Sequence, residues 1–299
     1  MNKALTMIIT IALLGLSPSV MADLTTGLAA HYTFDSCNAV DSSGNNNNGT
    51  IVGTLQCISG KDGSAFQFDG ASYIKVPSSA SLNPVKEWTM ALWVRVDGIT
   101  NTWSPFIHKG GGLDLGCYAN REYSVWLNSA PYFHQDSAGL GSCENYVESK
   151  TIPLQRWMHY VGVIDRNKHV TKIYINGFLN AKKADNKSGF NNNNFDLRIG
   201  YSEEVHSSNS PFKGALDDIR FYNRVLSDTE ILSLFNKAQL LSGRVNSLQQ
   251  FSVTCTNTTT GLTKTIPLRT DTVFWNCANA GLESSQGDVI DIHLNGISW

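Results

Sequence analysis

The chain has little charge and no long apolar segment after its first residues. Only 16% of its 299 residues are charged, and 23 basic residues nearly balance 25 acidic ones. A near-neutral chain offers no electrostatic attraction to nucleic acid or to an anionic membrane, so we expect neither as a partner. Because no later stretch reaches the roughly 20 apolar residues of a membrane span, we expect no transmembrane helix.

The common catalytic and metal-binding motifs are also missing from the sequence. It contains no Gly-x-Ser-x-Gly, no His-Glu-x-x-His and no phosphate-binding glycine loop. It has no Cys-x-x-Cys pair and no tight Cys/His cluster, which makes a zinc site improbable. An apolar fraction of 41% nevertheless supplies a core, so the chain is not expected to be disordered.

The first residues have the pattern of a secretory signal peptide. Lys3 is followed by an apolar run from Met7 to Leu16, and small or modest residues precede a cleavage point after Ala22. The alternative is a membrane anchor, but the run is too short to span a bilayer. We therefore predict a signal peptide at 1–22 and a secreted protein, either extracellular or periplasmic.

Six cysteines follow the predicted cleavage point. An even number in an exported chain indicates disulfides, because an oxidising compartment allows them to persist. Six cysteines allow 15 pairings, and the spacing favours three local ones. The predicted pairs are Cys37–Cys57, Cys117–Cys143 and Cys255–Cys277.

Short alternating segments separated by turns predict an all-β fold. In the segment 88–96, Met90, Leu92, Val94 and Val96 share one face. Asn-Gly at 176–177 predicts a type I′ hairpin, and Ser227 with Glu230 forms a capping box that predicts one short helix. We expect an antiparallel β-sandwich at 23–240, with an irregular, loop-rich stretch at 98–150. The segment 241–299 is expected to be a small disulfide-stapled β module or an appended sheet.

The segment from Gly27 to Leu234 resembles the laminin-G-like domains of the concanavalin A-like lectin/glucanase superfamily. The order and spacing of the matching pieces carry the resemblance. They are Tyr32–Asp35, Asp41–Gly44, Ala65–Gly70, Tyr73–Val76, Trp88–Val94, Trp157–Val161, Ile173–Gly177 and Gly214–Ser227. The resemblance implies a jelly-roll of two antiparallel sheets, binding of carbohydrate or protein, and, in many members, a calcium ion.

The same resemblance implies a set of calcium ligands. Related domains bring the N-terminal loop against the last strand, which points to Asp218 with Asp35 and Asp41 as partners. Calcium requires six to eight oxygen ligands, and we expect it to act structurally, by rigidifying the loop. The alternative is that these carboxylates cap backbone amides in turns.

The resemblance also raises the question of a glycoside hydrolase, which needs two carboxylates flanking one bond. Glucanases of this fold present them as Glu-x-Asp-x-x-Glu, and that motif is absent. Glu203 and Glu204 are adjacent and expected to diverge, and strand alternation predicts that Asp217 and Asp218 diverge as well. We therefore predict that the protein is not an enzyme.

Sugar binding requires exposed aromatic faces beside polar groups. The candidates lie in the stretch 98–150 and are Trp103, Tyr118, Tyr132, Phe133 and Tyr146. We predict a non-catalytic recognition protein that binds a glycan or glycoconjugate through loops. Two alternatives stay open: a protein-interaction or structural component of a cell surface or matrix, with a surface protein as partner, and a hydrolase with an unrecognised site. The oligomeric state does not follow from the sequence.

Overall fold

The computed structural model describes residues 23–99, 102–111, 121–138, 144–191, 194–204, 211–241, 252–257, 263–267 and 290–295. The predicted signal peptide, at 1–22, lies outside these residues. No helix within the described ranges is long and apolar enough to cross a bilayer.

Strands dominate the described residues, with one short 3-10 helix at Ala80–Leu82 and one α-helix. The elements are β1 (Leu28–Tyr32), β2 (Thr50–Val52), β3 (Gln56–Ser59), β4 (Ser64–Asp69), β5 (Tyr73–Val76), β6 (Glu87–Val96), β7 (Trp103–Gly110), β8 (Arg121–Asn128), β9 (Phe133–Ala138), β10 (Glu144–Glu148), β11 (Trp157–Asp165), β12 (Val170–Ile175), β13 (Phe178–Ala184), β14 (Leu197–Ile199), β15 (Lys213–Tyr222), α1 (Asp228–Leu241), β16 (Ser252–Asn257), β17 (Thr263–Pro267) and β18 (Ile290–Asn295).

Two antiparallel sheets form the predicted sandwich. The first has the order β13-β12-β11-β6-β15-β4-β3, and β1 also pairs with β15. The second has the order β10-β9-β8-β7-β14-β5-β2. Non-sequential neighbours such as β6 and β15 mean that the chain crosses repeatedly between the sheets, which is the jelly-roll arrangement. The predicted fold class is therefore confirmed.

The stretch 98–150 is more regular than the sequence indicated. Its described residues form β7, β8, β9 and β10, which are four of the seven strands of the second sheet. The prediction of an irregular, loop-rich region is wrong for these residues. Every residue of β8 is buried, so at this strand the outward face of the sheet is covered as well as the face toward the core.

The core lies between the two sheets and has the predicted alternation. Met90, Leu92, Val94 and Val96 of β6 all belong to one buried apolar cluster, with Tyr123 and Val125 of β8 among their partners in the second sheet. Trp88 is fully buried and packs against the Tyr123 ring with 4.9 Å between centroids. Burying large aromatic side chains contributes about 1.5–3 kcal/mol each.

A second, smaller apolar cluster lies on the outer face of the first sheet, beneath the helix. Ile231 and Leu234 of α1 pack there with Ala91, Val161 and Tyr174. The predicted capping box starts the helix: the Ser227 amide donates to Glu230 Oε2 at 2.7 Å, and the Glu230 amide donates to Ser227 Oγ at 3.3 Å. The helix therefore covers the sandwich as predicted.

A β-bulge in β15 corrects the expectation that Asp217 and Asp218 diverge. The register with β6 shifts between Asp217 and Arg220, and Asp218 has φ of +44°. Leu216 and Ile219 both lie in the core, so the two aspartates between them lie outside the inter-sheet core. A bulge adds one residue and breaks the two-residue alternation on which that expectation depended.

The C-terminal strands form a three-stranded sheet of their own, in the order β17-β16-β18. This agrees with the expected β character of 241–299, while the domain boundaries stay a prediction. The disulfide Cys37–Cys57 is confirmed. The pairs Cys117–Cys143 and Cys255–Cys277 rest on residues or side chains outside the described part of the chain.

Candidate carbohydrate-binding site

An aromatic cluster lies at one end of the second sheet, on its outer face. Its members come from the start of β7, the start of β9 and the end of β10. They are Trp103, Tyr132, His134, Tyr146 and Glu148, which we call the aromatic cluster. Because antiparallel neighbours bring these strand ends to the same edge, side chains up to 45 positions apart in sequence meet here.

The rings of the aromatic cluster contact each other edge to face and in stacks. The Trp103 ring meets His134 at 5.0 Å and Tyr132 at 6.4 Å between centroids, both nearly perpendicular. His134 stacks on Tyr146 at 4.7 Å, and the ammonium of Lys183 lies 3.7 Å from the Tyr146 ring centre. The ring of Tyr146 stays 39% exposed although His134 and Lys183 contact it, and Trp103 and Tyr132 are also partly exposed.

Glu148 gives the aromatic cluster an accessible carboxylate. Its side chain is 42% exposed, and one oxygen lies 3.1 Å from Nδ1 of His134. Burial, the charge of Glu148 and a hydrogen bond to that carboxylate raise the pKa of Tyr132. The carboxylate is held by two side chains and still faces water, so it can accept hydrogen bonds from a ligand's hydroxyl groups.

A buried ionic network continues inward from His134. Nε2 of His134 lies 3.3 Å from Asp136, which also pairs with Arg121 at 2.6 Å and accepts a hydrogen bond from Ser124. Arg121 also holds Glu204 with two bonds of 2.7 and 2.6 Å, and its guanidinium lies 4.6 Å from the ring centre of Trp126. We call Arg121, Asp136 and Glu204 the Arg121 network. It fixes β8, β9 and the segment after β14 to one another.

The Arg121 network keeps its two carboxyl groups ionised. Burial alone would raise the pKa of Asp136, but the charge of Arg121 and hydrogen bonds from His134 and Ser124 outweigh burial and hold it well below its usual range. For Glu204, bonds from Arg121 and His108 outweigh burial in the same way and lower the pKa. Neither group carries a proton to give at neutral pH.

The aromatic residues that were predicted to bind a ligand do not all lie at the same place in the structure. The structure brings Trp103, Tyr132 and Tyr146 together in the aromatic cluster. Phe133 is corrected: it is fully buried in the core and presents no surface to a ligand, because it is the inward residue of its strand. Tyr118 lies outside the described residues.

Sequence reasoning missed His134 and Glu148. The signal that could have found them is a polar residue alternating with a core residue, as His134 follows Phe133 and Glu148 follows Val147. The Arg121–Glu204 pair joins residues 83 positions apart and had no local signal.

The predicted calcium ligands already have partners within the protein. Asp41 accepts bonds from the backbone amides of His31, Ser43 and Asn47 at 2.8–2.9 Å, which is the turn-capping role considered for it. Asp218 contacts His31 at 2.6 Å and Arg220 at 2.9 Å, and these bonds outweigh burial and hold its pKa well below the usual range. Among the described residues, no group of three His, Cys, Asp or Glu side chains is arranged to hold a metal.

Calcium binding by Asp35, Asp41 and Asp218 stays a prediction, and a bound ion would have to draw Asp218 away from His31 and Arg220. The expected result is a higher Tm in millimolar Ca²⁺ than in EDTA, lost in Asp218→Asn, because a ligand that binds only the folded state stabilises it. Thermal unfolding by circular dichroism measures it. An equal Tm in both buffers contradicts the prediction.

A two-sheet jelly-roll with an aromatic and carboxylate cluster at one sheet end defines a lectin-like β-sandwich domain. The family model described as concanavalin A-like lectin/glucanases superfamily, of the third laminin-G group, matches residues 68–232. This is more than half of the chain, which therefore belongs to that superfamily. No curated protein matches the chain in sequence.

Solved structures with the same fold include binding domains of several origins. Domain 4 of AbnA, an extracellular GH43 arabinanase from Geobacillus stearothermophilus solved with arabinotriose, is 24% identical, with a TM-score of 0.53 over 69% of this chain and 97% of that one. The binding domain of Paraclostridial Mosquitocidal Protein 1 is 17% identical, with a TM-score of 0.59 over 82% of this chain and 64% of that one.

A third structure comes from work on botulinum neurotoxin type C, whose cell entry depends on interaction with two ganglioside molecules. It is 14% identical, with a TM-score of 0.60 over 92% of this chain and 72% of that one. At these identities the likeness concerns the fold.

Proposed function

We propose that the protein is a secreted, non-catalytic carbohydrate-binding protein and that the aromatic cluster is its binding site. The observation that carries the proposal is the pairing of the partly exposed rings of Trp103 and Tyr132 with the accessible carboxylate of Glu148. Aromatic faces bind the apolar C–H surface of a sugar ring, and a carboxylate accepts its hydroxyl protons.

The setting of the aromatic cluster supports a preformed site. Its residues lie on or next to strands rather than on free loops, and the Arg121 network ties one of those strands, β9, to β8 and to the segment after β14. A rigid site loses less conformational entropy when a ligand binds. Structures that share this fold include a domain solved with arabinotriose and a toxin whose entry involves gangliosides, which favours a saccharide as the ligand class.

The carboxyl groups of the Arg121 network, next to the aromatic cluster, support a non-catalytic role for this site. Glycoside hydrolysis needs one carboxyl that carries a proton and a second one across the scissile bond. Asp136 and Glu204 are both held ionised by Arg121, so neither supplies that proton. The disulfide Cys37–Cys57 supports an oxidising compartment and therefore secretion.

We expect residues 23–299 to bind saturably to one or more structures on a glycan array. Trp103→Ala and Tyr132→Ala are each expected to weaken that binding about tenfold, because each removes an aromatic contact of about 0.5–1.5 kcal/mol together with buried area. Tyr132→Phe keeps the ring and is expected to lose less. Isothermal titration with the best glycan measures the affinities.

Phe178→Ala is the control, because Phe178 is a 51%-exposed aromatic at the end of β13 opposite to Lys183, the residue of that strand that contacts the aromatic cluster. Wild-type affinity in both cluster variants contradicts this site. Absence of binding to every glycan by a folded sample contradicts the function and favours the protein-interaction alternative.

A further inference from the structure

A second cavity lies at the opposite end of strand β6 from the aromatic cluster. The aromatic cluster is near the end of β6 at Val96, since the segment that follows β10 donates a hydrogen bond from the Gln155 amide to the Val96 carbonyl. The second cavity is near the start of β6 and includes Glu87. It has a volume of about 360 Å³, within the range of roughly 300–1,000 Å³ typical of small-molecule sites.

Three carboxamides and one pair of opposite charges line this cavity, which we call the amide cleft. The carboxamides belong to Asn83, Asn167 and Asn223, and the charges to Lys86 and Glu87. They come from three segments: the connection before β6, the turn after β11 and the loop after β15. No aromatic side chain is among the lining residues, so the amide cleft is chemically unlike the aromatic cluster.

The carboxamide of Asn83 has hydrogen-bonding capacity that the protein leaves unused. Its Oδ1 is buried and has no hydrogen-bond partner in the described part of the chain. A buried polar atom without a partner costs about 1–3 kcal/mol. Because this oxygen has no exposed surface, a ligand's donor would reach it only after the Asn83 side chain turns toward the cleft. Asn167 donates from Nδ2 to Glu87 Oε1 at 2.8 Å, an arrangement that orients one carboxylate toward the cleft wall.

Backbone bonds fix the walls of the amide cleft. The Asn83 amide donates to the Ala80 carbonyl at 3.3 Å, and Pro84 follows it directly. The Arg166 amide donates to the Lys86 carbonyl at 3.0 Å, and the Asn223 amide donates to the Gly27 carbonyl at 2.9 Å. The backbone of these walls is therefore fixed before any ligand arrives, which lowers the entropic cost of binding.

From this arrangement we infer that the amide cleft is a second binding site and that it takes a single neutral sugar residue. A carboxamide can accept from one sugar hydroxyl and donate to its neighbour, and three of them match the vicinal hydroxyls of a pyranose or furanose ring. Lys86 and Glu87 cancel each other's charge, so the cleft does not favour an anionic or a cationic ligand. The absence of a lining aromatic ring favours one sugar residue over a stacked chain.

The test is a ¹H–¹⁵N NMR titration of residues 23–299 with D-galactose, L-arabinose and N-acetyl-D-glucosamine at millimolar concentration. We expect at least one of them to shift the side-chain amide signals of Asn83, Asn167 and Asn223 saturably, and D-glucuronate to bind more weakly. Asn83→Leu keeps the approximate shape but removes both the acceptor and the donor, and it is expected to weaken binding about tenfold, as is Asn83→Ala. Asn194→Ala, an exposed asparagine outside the cleft, is the matched control.

Each remaining outcome of the titration overturns the inference. These outcomes are the absence of shifts at the three carboxamides with all three sugars, unchanged affinity in both Asn83 variants, and tighter binding of D-glucuronate. The readout is separate from that of the aromatic cluster, because Trp103→Ala is expected to leave the shifts at the amide cleft intact. A negative result at one site therefore does not contradict the proposal for the other site.

Discussion

Replacement of Arg121 by methionine is expected to lower the free energy of unfolding by about 3–5 kcal/mol, the cost of leaving buried charges without their counter-ion. Arg121 is 9% exposed at its side chain, and its partners Asp136 and Glu204 are 0% and 8% exposed. Two carboxylates in this environment have no water to replace the guanidinium. Urea unfolding followed by tryptophan fluorescence at pH 7 measures the loss.

The loss is expected to depend on pH in a defined direction. In the native protein the pKa of both Asp136 and Glu204 is lowered, so their contribution is complete above the unfolded pKa of about 4 and is lost as pH falls through the folded value. Without Arg121, burial raises both pKa values instead, and acidification stabilises the variant. The difference between native protein and variant should therefore be largest near pH 7 and shrink toward pH 4.

Arg95→Met is the matched control for Arg121→Met. Arg95 also pairs with an aspartate, Asp97 at 2.7 Å, and also lies over a tryptophan, Trp157, with 5.4 Å to the ring centre. Its side chain is 26% exposed, and surface pairs contribute only about 0–1 kcal/mol. Equal losses in the two variants, or a loss at Arg121 that stays constant with pH, would contradict the role given to the buried network.

Local signals predicted the first sheet and its covering helix well. The pair Asn176–Gly177 has φ of +53° and +84°, as a type I′ turn requires, because glycine and asparagine reach this region at low cost. The alternation in β6 and the capping box at Ser227 were likewise correct. These features depend on neighbours within a few residues, and sequence patterns report such neighbours directly.

Much of the second sheet was hidden from the same reasoning because both faces of its strand β8 are buried. In β8, the outward residues Arg121, Ser124 and Trp126 are polar or amphipathic, yet pairing with β9 and the segment after β14 buries them. In a sequence, a charged residue of a buried ion pair looks like a surface residue, because only its partner elsewhere in the chain shows that it is buried. A register shift between β7 and β8, opposite Arg121, further disturbs the alternation.

Only part of the candidate site could be predicted from the sequence, because contacts between distant strands complete it. Trp103, Tyr132 and Tyr146 stand out by residue type, and the structure brings these three residues of the stretch 98–150 together. Their assembly with His134 and Glu148 depends on the pairing of β9 with β10, where Glu148 faces His134. The bulge at Asp217 shows how strand alternation can fail as a guide. One extra residue in β15 reverses the side of the sheet that alternation assigns to the side chains after it.

Removal of the disulfide by Cys37→Ala with Cys57→Ala is expected to lower the free energy of unfolding by about 3 kcal/mol. The two residues are 20 positions apart, and a cross-link closing a loop of this length restricts the unfolded chain by about that amount in the chain-entropy model. The loop contains Asp41, whose turn joins the N-terminal strand to the sandwich. Urea unfolding of the oxidised native protein and of the double variant measures the difference.

Reduction supplies the control for the double variant. Dithiothreitol is expected to destabilise the native protein by at least as much as the double replacement does, because it opens the same loop. In the double variant, the further loss caused by dithiothreitol measures what the remaining four cysteines contribute, including the predicted pairs Cys117–Cys143 and Cys255–Cys277. A double variant as stable as the oxidised native protein would mean that the loop keeps its structure through Asp41 and its amide partners alone.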